Sequence, residues 1–232
     1  MTKKTKRYDK KAVEKSGTKE SQALMEKAAL EKLPKDVQEK LKNIKSKLDK
    51  FQKRVLDKFD KYVMGMTLLP PKKPDQKQAP VQPQAVQKQP LEKDKINVLV
   101  LVDDSDSRKM SKFELKDKLT AIITSIGQEI DKNMKPQVVI LSELWQNCYD
   151  GKYEILQLIA LSAPIFDRGM LAAIKIAEVH KTMVLKKFEK YIVSYVLAGS
   201  LVQGRATPTS DIDVWIVIDD TDVKKMTRAE LK

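Results

Sequence analysis

The sequence predicts an α/β (α+β) chain: two tandem units of one helix–strand–loop–strand plan, each a small mixed sheet with flanking helices, preceded by a long basic N-terminal helix. Three observations carry that expectation. Short runs rich in Val, Ile and Leu (62–69, 96–102, 191–198 and the run opened at Asp211) alternate with segments of helical period, as strands packed under helices do. The chain also repeats itself. Residues 219–232, DDTDVKKMTRAELK, fall on 103–116, DDSDSRKMSKFELK, at an offset of 116, and 184–193, VLKKFEKYIV, falls on 55–64, VLDKFDKYVM, at an offset of 129. Finally, charge is lopsided: residues 1–95 hold 26 Lys/Arg against 13 Asp/Glu, and residues 96–232 hold 19 against 19.

Taken in order, residues 1–34 are a Lys-rich arm expected to be partly disordered. A helix over about 35–60 follows. Pro34 sits near its first turn, and a stripe of Val37, Leu41, Ile44, Leu48, Phe51 and Val55 is spaced 4, 3, 4, 3, 4. It suits either a coiled coil with a partner or packing on the first unit, and the equivalent place of the later linking helix favours the second. A strand is expected at Tyr62–Leu69, then a loop at 70–94 holding six of the ten prolines, a composition that favours extended, unpacked chain. The next strand is Ile96–Val102. After an Asp-Asp-Ser-Asp turn comes a helix from Ser111 to about Ile130, opened by a Ser111…Glu114 capping box. A strand at Val138–Leu141, short helices at about 142–148 and 153–162, and a closing Ser-Ala-Pro-Ile-Phe-Asp-Arg-Gly segment at 162–169 complete the first domain, 35–169. A linking helix at about 170–189 starts the second, 170–232, which stops at Lys232 shortly after its own Thr227…Glu230 capping box, so the chain is expected to be a fragment.

The stretch Gly199–Asp219, GSLVQGRATPTSDIDVWIVID, carries the chemistry. Gly-Ser ends one apolar run, and a polar turn leads to Asp-Ile-Asp at the start of the next. Alternation along a strand puts Asp211 and Asp213 on one face with Ile212 turned inward. Two neighbouring carboxylates make an oxygen-rich seat for Mg²⁺, which takes one or two carboxylates plus substrate phosphates. Gly199 permits close backbone approach to a ligand, and Ser200 offers a hydroxyl and an N–H to a phosphate.

These residues resemble the nucleotidyltransferase superfamily of DNA polymerase beta, with its hydrophobic-Gly-Ser, gap, Asp-hydrophobic-Asp pattern, and most closely the minimal nucleotidyltransferases; archaeal CCA-adding enzymes are similar but more distant. The resemblance implies nucleotidyl transfer. An acceptor hydroxyl attacks the α-phosphate of an NTP and pyrophosphate leaves, with two divalent ions, Mg²⁺ or Mn²⁺, about 3.5–4 Å apart. It implies that Asp211 and Asp213 are the catalytic, metal-holding acids, and that Gly199, Ser200, Arg205 and Ser210 meet the nucleotide. It further implies a third acid on the next strand, which the repeat offset places near residue 253. The site in this chain is therefore expected to be incomplete. In the first unit the corresponding positions are Pro70-Pro71 for Gly199-Ser200, Lys95 for Asp211 and Asn97 for Asp213, a site stripped of its charges and donors.

Composition narrows the alternatives. One cysteine, Cys148, forbids a disulfide within the chain, and one histidine, His180, leaves no zinc cluster to build. Both read as ordinary packing or surface residues, and Trp145 and Trp215 are expected to pack. The Asp103-Asp104 and Asp219-Asp220 pairs read as turn chemistry, because they occur in both units. No apolar run reaches membrane-span length, and a cytoplasmic protein is expected. The basic residues 1–95 point to RNA or an acidic partner, with a merely solvated lysine face left open. A non-catalytic nucleotide- or RNA-binding module and an antitoxin-like protein that modifies a partner are the rival functions. The acceptor, the choice of NTP and the oligomeric state are not encoded legibly.

Overall fold

A computed structural model describes residues 34–70, 95–107, 110–205, 207, 209–219, 221, 227 and 229–230. The basic arm 1–33 and most of the Pro/Gln loop lie outside the described residues; of the segment expected to be helical after Thr227 only 229–230 are described, and there the Glu230 carboxylate accepts from the Thr227 N–H at 2.7 Å. Backbone contacts divide the chain into units 1–46 and 47–232. Among the described residues there are six helices and two sheets. None of these helices is long and apolar enough to cross a membrane.

Helix α1, Lys35–Phe59, starts where the Pro34 carbonyl accepts from the N–H groups of Val37 and Gln38. Along its C-terminal half Leu48, Phe51 and Val55 of the expected stripe are buried, whereas Leu41 is exposed and Val37 and Ile44 are only half-buried. Strand β1, Val63–Leu68, pairs antiparallel with β2, Ile96–Val102. Helix α2, Lys112–Ile130, is capped as expected: Ser111 Oγ accepts from the Glu114 N–H at 3.2 Å. Strand β3, Met134–Ile140, runs parallel to β2, and helix α3, Leu141–Tyr149, begins at the very next residue. Helix α4, Glu154–Leu161, leads into β4, Ala163–Asp167, which pairs antiparallel with β1. The result is a four-stranded mixed sheet in the order β3-β2-β1-β4.

Two expectations are corrected here, for one reason. Strand β3 begins at Met134, not Val138, and Leu141 belongs to the helix. Residues 163–167, expected only as a closing segment, form β4. Each strand contains a proline, Pro136 or Pro164, which argues against a strand in sequence. Both strands lie at sheet edges, where a missing N–H leaves no ladder bond unmade.

Helix α5, Met170–Phe188, packs its first half into the core through Met170, Leu171, Ala173, Ile174 and Ala177. Asp167 fixes its start, accepting from the N–H groups of Gly169, Leu171 and Ala172 at 2.8–2.9 Å. Strand β5, Ile192–Ala198, then pairs antiparallel with β6, Asp213–Ile218, as a separate two-stranded sheet.

The two antiparallel pairs share one register. Val63 faces Val102 and Leu68 faces Val98, while Ile192 faces Ile218 and Leu197 faces Val214. These are the positions related by the sequence offsets of 129 and 116. Both ladders shift at the same place, between Val63 and Gly65 and between Ile192 and Ser194. The turns agree as well. The Asp103 N–H donates to the Tyr62 carbonyl and the Asp219 N–H to the Tyr191 carbonyl, both at 2.8 Å. Each aspartate closes a tight turn by accepting from the N–H two residues on, Ser105 at 3.0 Å and Thr221 at 2.9 Å.

Candidate active site

Strand β5 brings the chain to Ala198, which faces Asp213, the first residue of β6. The next residue, Gly199, has φ of +71° and turns the backbone into the short helix α6, Gly199–Val202. A Cβ on Gly199 would lie 2.8 Å from the carboxyl carbon of Asp213 and closer still to its Oδ2, so any side chain there would collide with the acid. Glycine is required twice over, for the left-handed backbone and for the approach. The closeness of Gly199 to Asp213 is thus a property of the backbone itself.

Asp211 and Asp213 are both exposed and flank Ile212, which is half-buried against the core. That is the expected disposition, with one difference: β6 starts at Asp213, and Asp211 sits in the irregular segment before it. The loop between Gly199 and Asp211 is held by its own backbone. Gly204 N–H donates to the Leu201 carbonyl at 3.2 Å and Arg205 N–H to the Ser200 carbonyl at 2.9 Å. Arg205 is exposed. Ser210 closes a second turn, its Oγ accepting from the Thr207 N–H at 2.9 Å and its N–H donating to the Thr207 carbonyl at 3.0 Å. Its hydroxyl therefore shapes the loop in this structure.

Residues 178–232 match the family model of the nucleotidyltransferase domain. All six candidate residues, Gly199, Ser200, Arg205, Ser210, Asp211 and Asp213, fall inside the matched segment. Comparison with curated proteins and with solved structures gave no match.

Near the matched segment, the described thiol and imidazole are engaged in local contacts. The lone thiol, Cys148, is pushed above its ordinary pKa by burial and by the nearby Glu178 carboxylate, and it donates to the Leu144 carbonyl at 3.1 Å. His180 Nδ1 is 2.9 Å from the Tyr195 hydroxyl, on the helix and strand leading up to the loop. Burial, then Glu178, raises the Tyr195 pKa, which keeps that hydroxyl protonated. Trp145 is half-buried against the core as expected, but Trp215 is not: it is 70% exposed, on the Asp213 face of β6. The sequence reading missed how the loop is seated. Leu201, 1% exposed, enters the same buried cluster as Leu141 and Leu144 of α3.

Proposed function

We propose that the protein is a metal-dependent nucleotidyltransferase, moving a nucleoside monophosphate from an NTP to an acceptor hydroxyl with release of pyrophosphate. The observation that carries this reading is the contact of the Gly199 backbone with the Asp213 carboxylate, with Asp211 exposed beside it. That juxtaposition brings a Gly-Ser turn, open to phosphate oxygens, against hard anionic oxygens. The donor set suits Mg²⁺ or Mn²⁺, which Asp211 and Asp213 would hold together with the triphosphate. Among the described residues no group of three or more His, Cys, Asp or Glu gathers, so substrate oxygens would complete the coordination. When bound, the ion supplies neutralisation of the triphosphate charge. Ser200 would bind phosphate through its N–H and hydroxyl, and Arg205 and Ser210 would meet it from the loop. The acceptor oxygen then bonds to the α-phosphorus as the bond to the β-phosphate oxygen breaks.

We further read the chain as a tandem of nucleotidyltransferase-fold units with a site only in the second. The shared register, shared bulge position and shared aspartate turns support this. In the first unit Lys95 and Asn97 stand where the acids would be, so residues 35–169 are expected to bind neither metal nor nucleotide. Calorimetry on the full chain tests the reading. Metal-dependent NTP binding should be present and should vanish in Asp211→Ala/Asp213→Ala. Equal binding in the double variant rejects the site.

A further inference from the structure

We propose that the part of the chain preceding the matched segment positions the Gly199–Asp213 loop, by seating Leu201 and Gly204 against Leu141 at the start of α3. For its catalytic consequence the inference rests on the nucleotidyltransferase reading above. The loop has a firm anchor at the strands, where Ala198 faces Asp213. Farther out the loop is open to solvent, with Arg205, Thr207, Thr209 and Asp211 exposed. The second anchor is Leu201, buried among Leu141, Leu144, Leu156, Ile159 and Ile174. Gly204 adds to it. Its φ is +71°, and a Cβ there would lie 2.6 Å from Leu141 Cδ2, so the loop backbone rests directly on that side chain.

Between Ala198 and Arg205 the backbone is tied at several points. Leu201 immediately follows Ser200, and the Arg205 N–H is bonded to the Ser200 carbonyl. Fixing Leu201 and Gly204 therefore fixes both ends of the turn that would face a triphosphate. The supporting residues Leu141, Leu144, Leu156 and Ile159 all precede residue 178, outside the matched segment. A unit with Lys95 and Asn97 in place of the paired acids thus has a reason to be retained: it preorganises its neighbour's loop. Leu141, Leu201 and Gly204 are positioning residues in this scheme, acting through Ser200 and Arg205.

The test uses the full chain and Leu141→Ala, with Ile123→Ala as control. Ile123 is fully buried in α2, outside the cluster that holds Leu201, so both variants lose a comparable core side chain. Two quantities are read well below the unfolding temperature: hydrogen exchange at the Gly204 and Arg205 amides, and calorimetric affinity for MgATP, MgGTP, MgCTP and MgUTP. In Leu141→Ala exchange at those amides should accelerate, and affinity for whichever nucleotide binds should fall, each by about tenfold or more. Ile123→Ala should change neither. Unchanged exchange and affinity in Leu141→Ala, or equal changes in both variants, would overturn the proposal. Should Leu141→Ala not fold, Leu141→Val must give a smaller change of the same sign. A wild-type chain that binds no nucleotide rejects the functional reading, while the exchange data still decide the seating.

Discussion

Replacing Gly199 with alanine probes the site through its backbone. The cost has two parts. At φ of +71° a Cβ meets the carbonyl oxygen, for roughly 1–2 kcal/mol. The Cβ would also lie 2.8 Å from the Asp213 carboxyl carbon, so Asp213 must leave its rotamer, for about 0.5–1.5 kcal/mol more. The single variant should lose about 1.5–3.5 kcal/mol in denaturant unfolding, and its metal-dependent NTP binding should fall with the displaced acid. A double-mutant cycle separates the two parts. In an Asp213→Ala background the carboxylate is gone, and Gly199→Ala should cost only the backbone part, leaving a coupling of about 1 kcal/mol. Strict additivity, or a Gly199→Ala chain as stable as wild type, would refute the argument that the Gly199 backbone lies against the acid.

Two further perturbations test other parts of the molecule. Removing residues 1–34 should weaken any RNA binding and flatten its salt dependence in filter or fluorescence titrations, since the excess of Lys/Arg lies before residue 96; equal binding would make the arm a solvated surface. The Lys47–Asp131 ion pair, 2.6 Å long, gives a pH signature. The hydrogen bond from Lys47, then that from the Asn133 N–H, holds the Asp131 carboxyl below its ordinary 3.8. A depressed folded-state pKa adds stability that is complete above the unfolded value and is lost as pH falls through the folded one. Asp131→Asn should therefore lower the melting temperature at pH 7, and the gap from wild type should close as the pH drops well below about 3.9.

The parts legible in sequence were those where local and global signals agree. Ser111 and Glu114 announced α2 to the residue, because a cap is a local bond that tertiary packing does not override. Strand β2 was read as Ile96–Val102 because a central strand buried on both faces is a nearly unbroken apolar run. The edge strands were the ones misread, since Pro136 and Pro164 carry the opposite signal and only sheet position reconciles them. At the site, Gly199, Ile212 and Asp213 lie as their spacing suggests. The seating of Leu201 on α3 was not readable, because its partner Leu141 is sixty residues away and was itself assigned to a strand. Trp215 was expected inside by residue type, yet its face of β6 is open in this structure.

Helix α5 also bears on modularity. At about 1.5 Å per residue its 19 residues span roughly 28 Å, and it serves two owners. Its first half fills the core beneath the four-stranded sheet, and farther along, the Ala177 carbonyl and His180 engage the Tyr195 hydroxyl of β5. The family match opens at residue 178, partway along this helix. The boundary visible by similarity is therefore not a boundary in the fold. Excising the matched segment would sever α5, leave Met170, Leu171 and Ile174 on the discarded piece, and take from Leu201 the leucines that hold it. Moving the matched segment into another protein with its loop seated would have to carry the residues from Leu141 to Ala177 along.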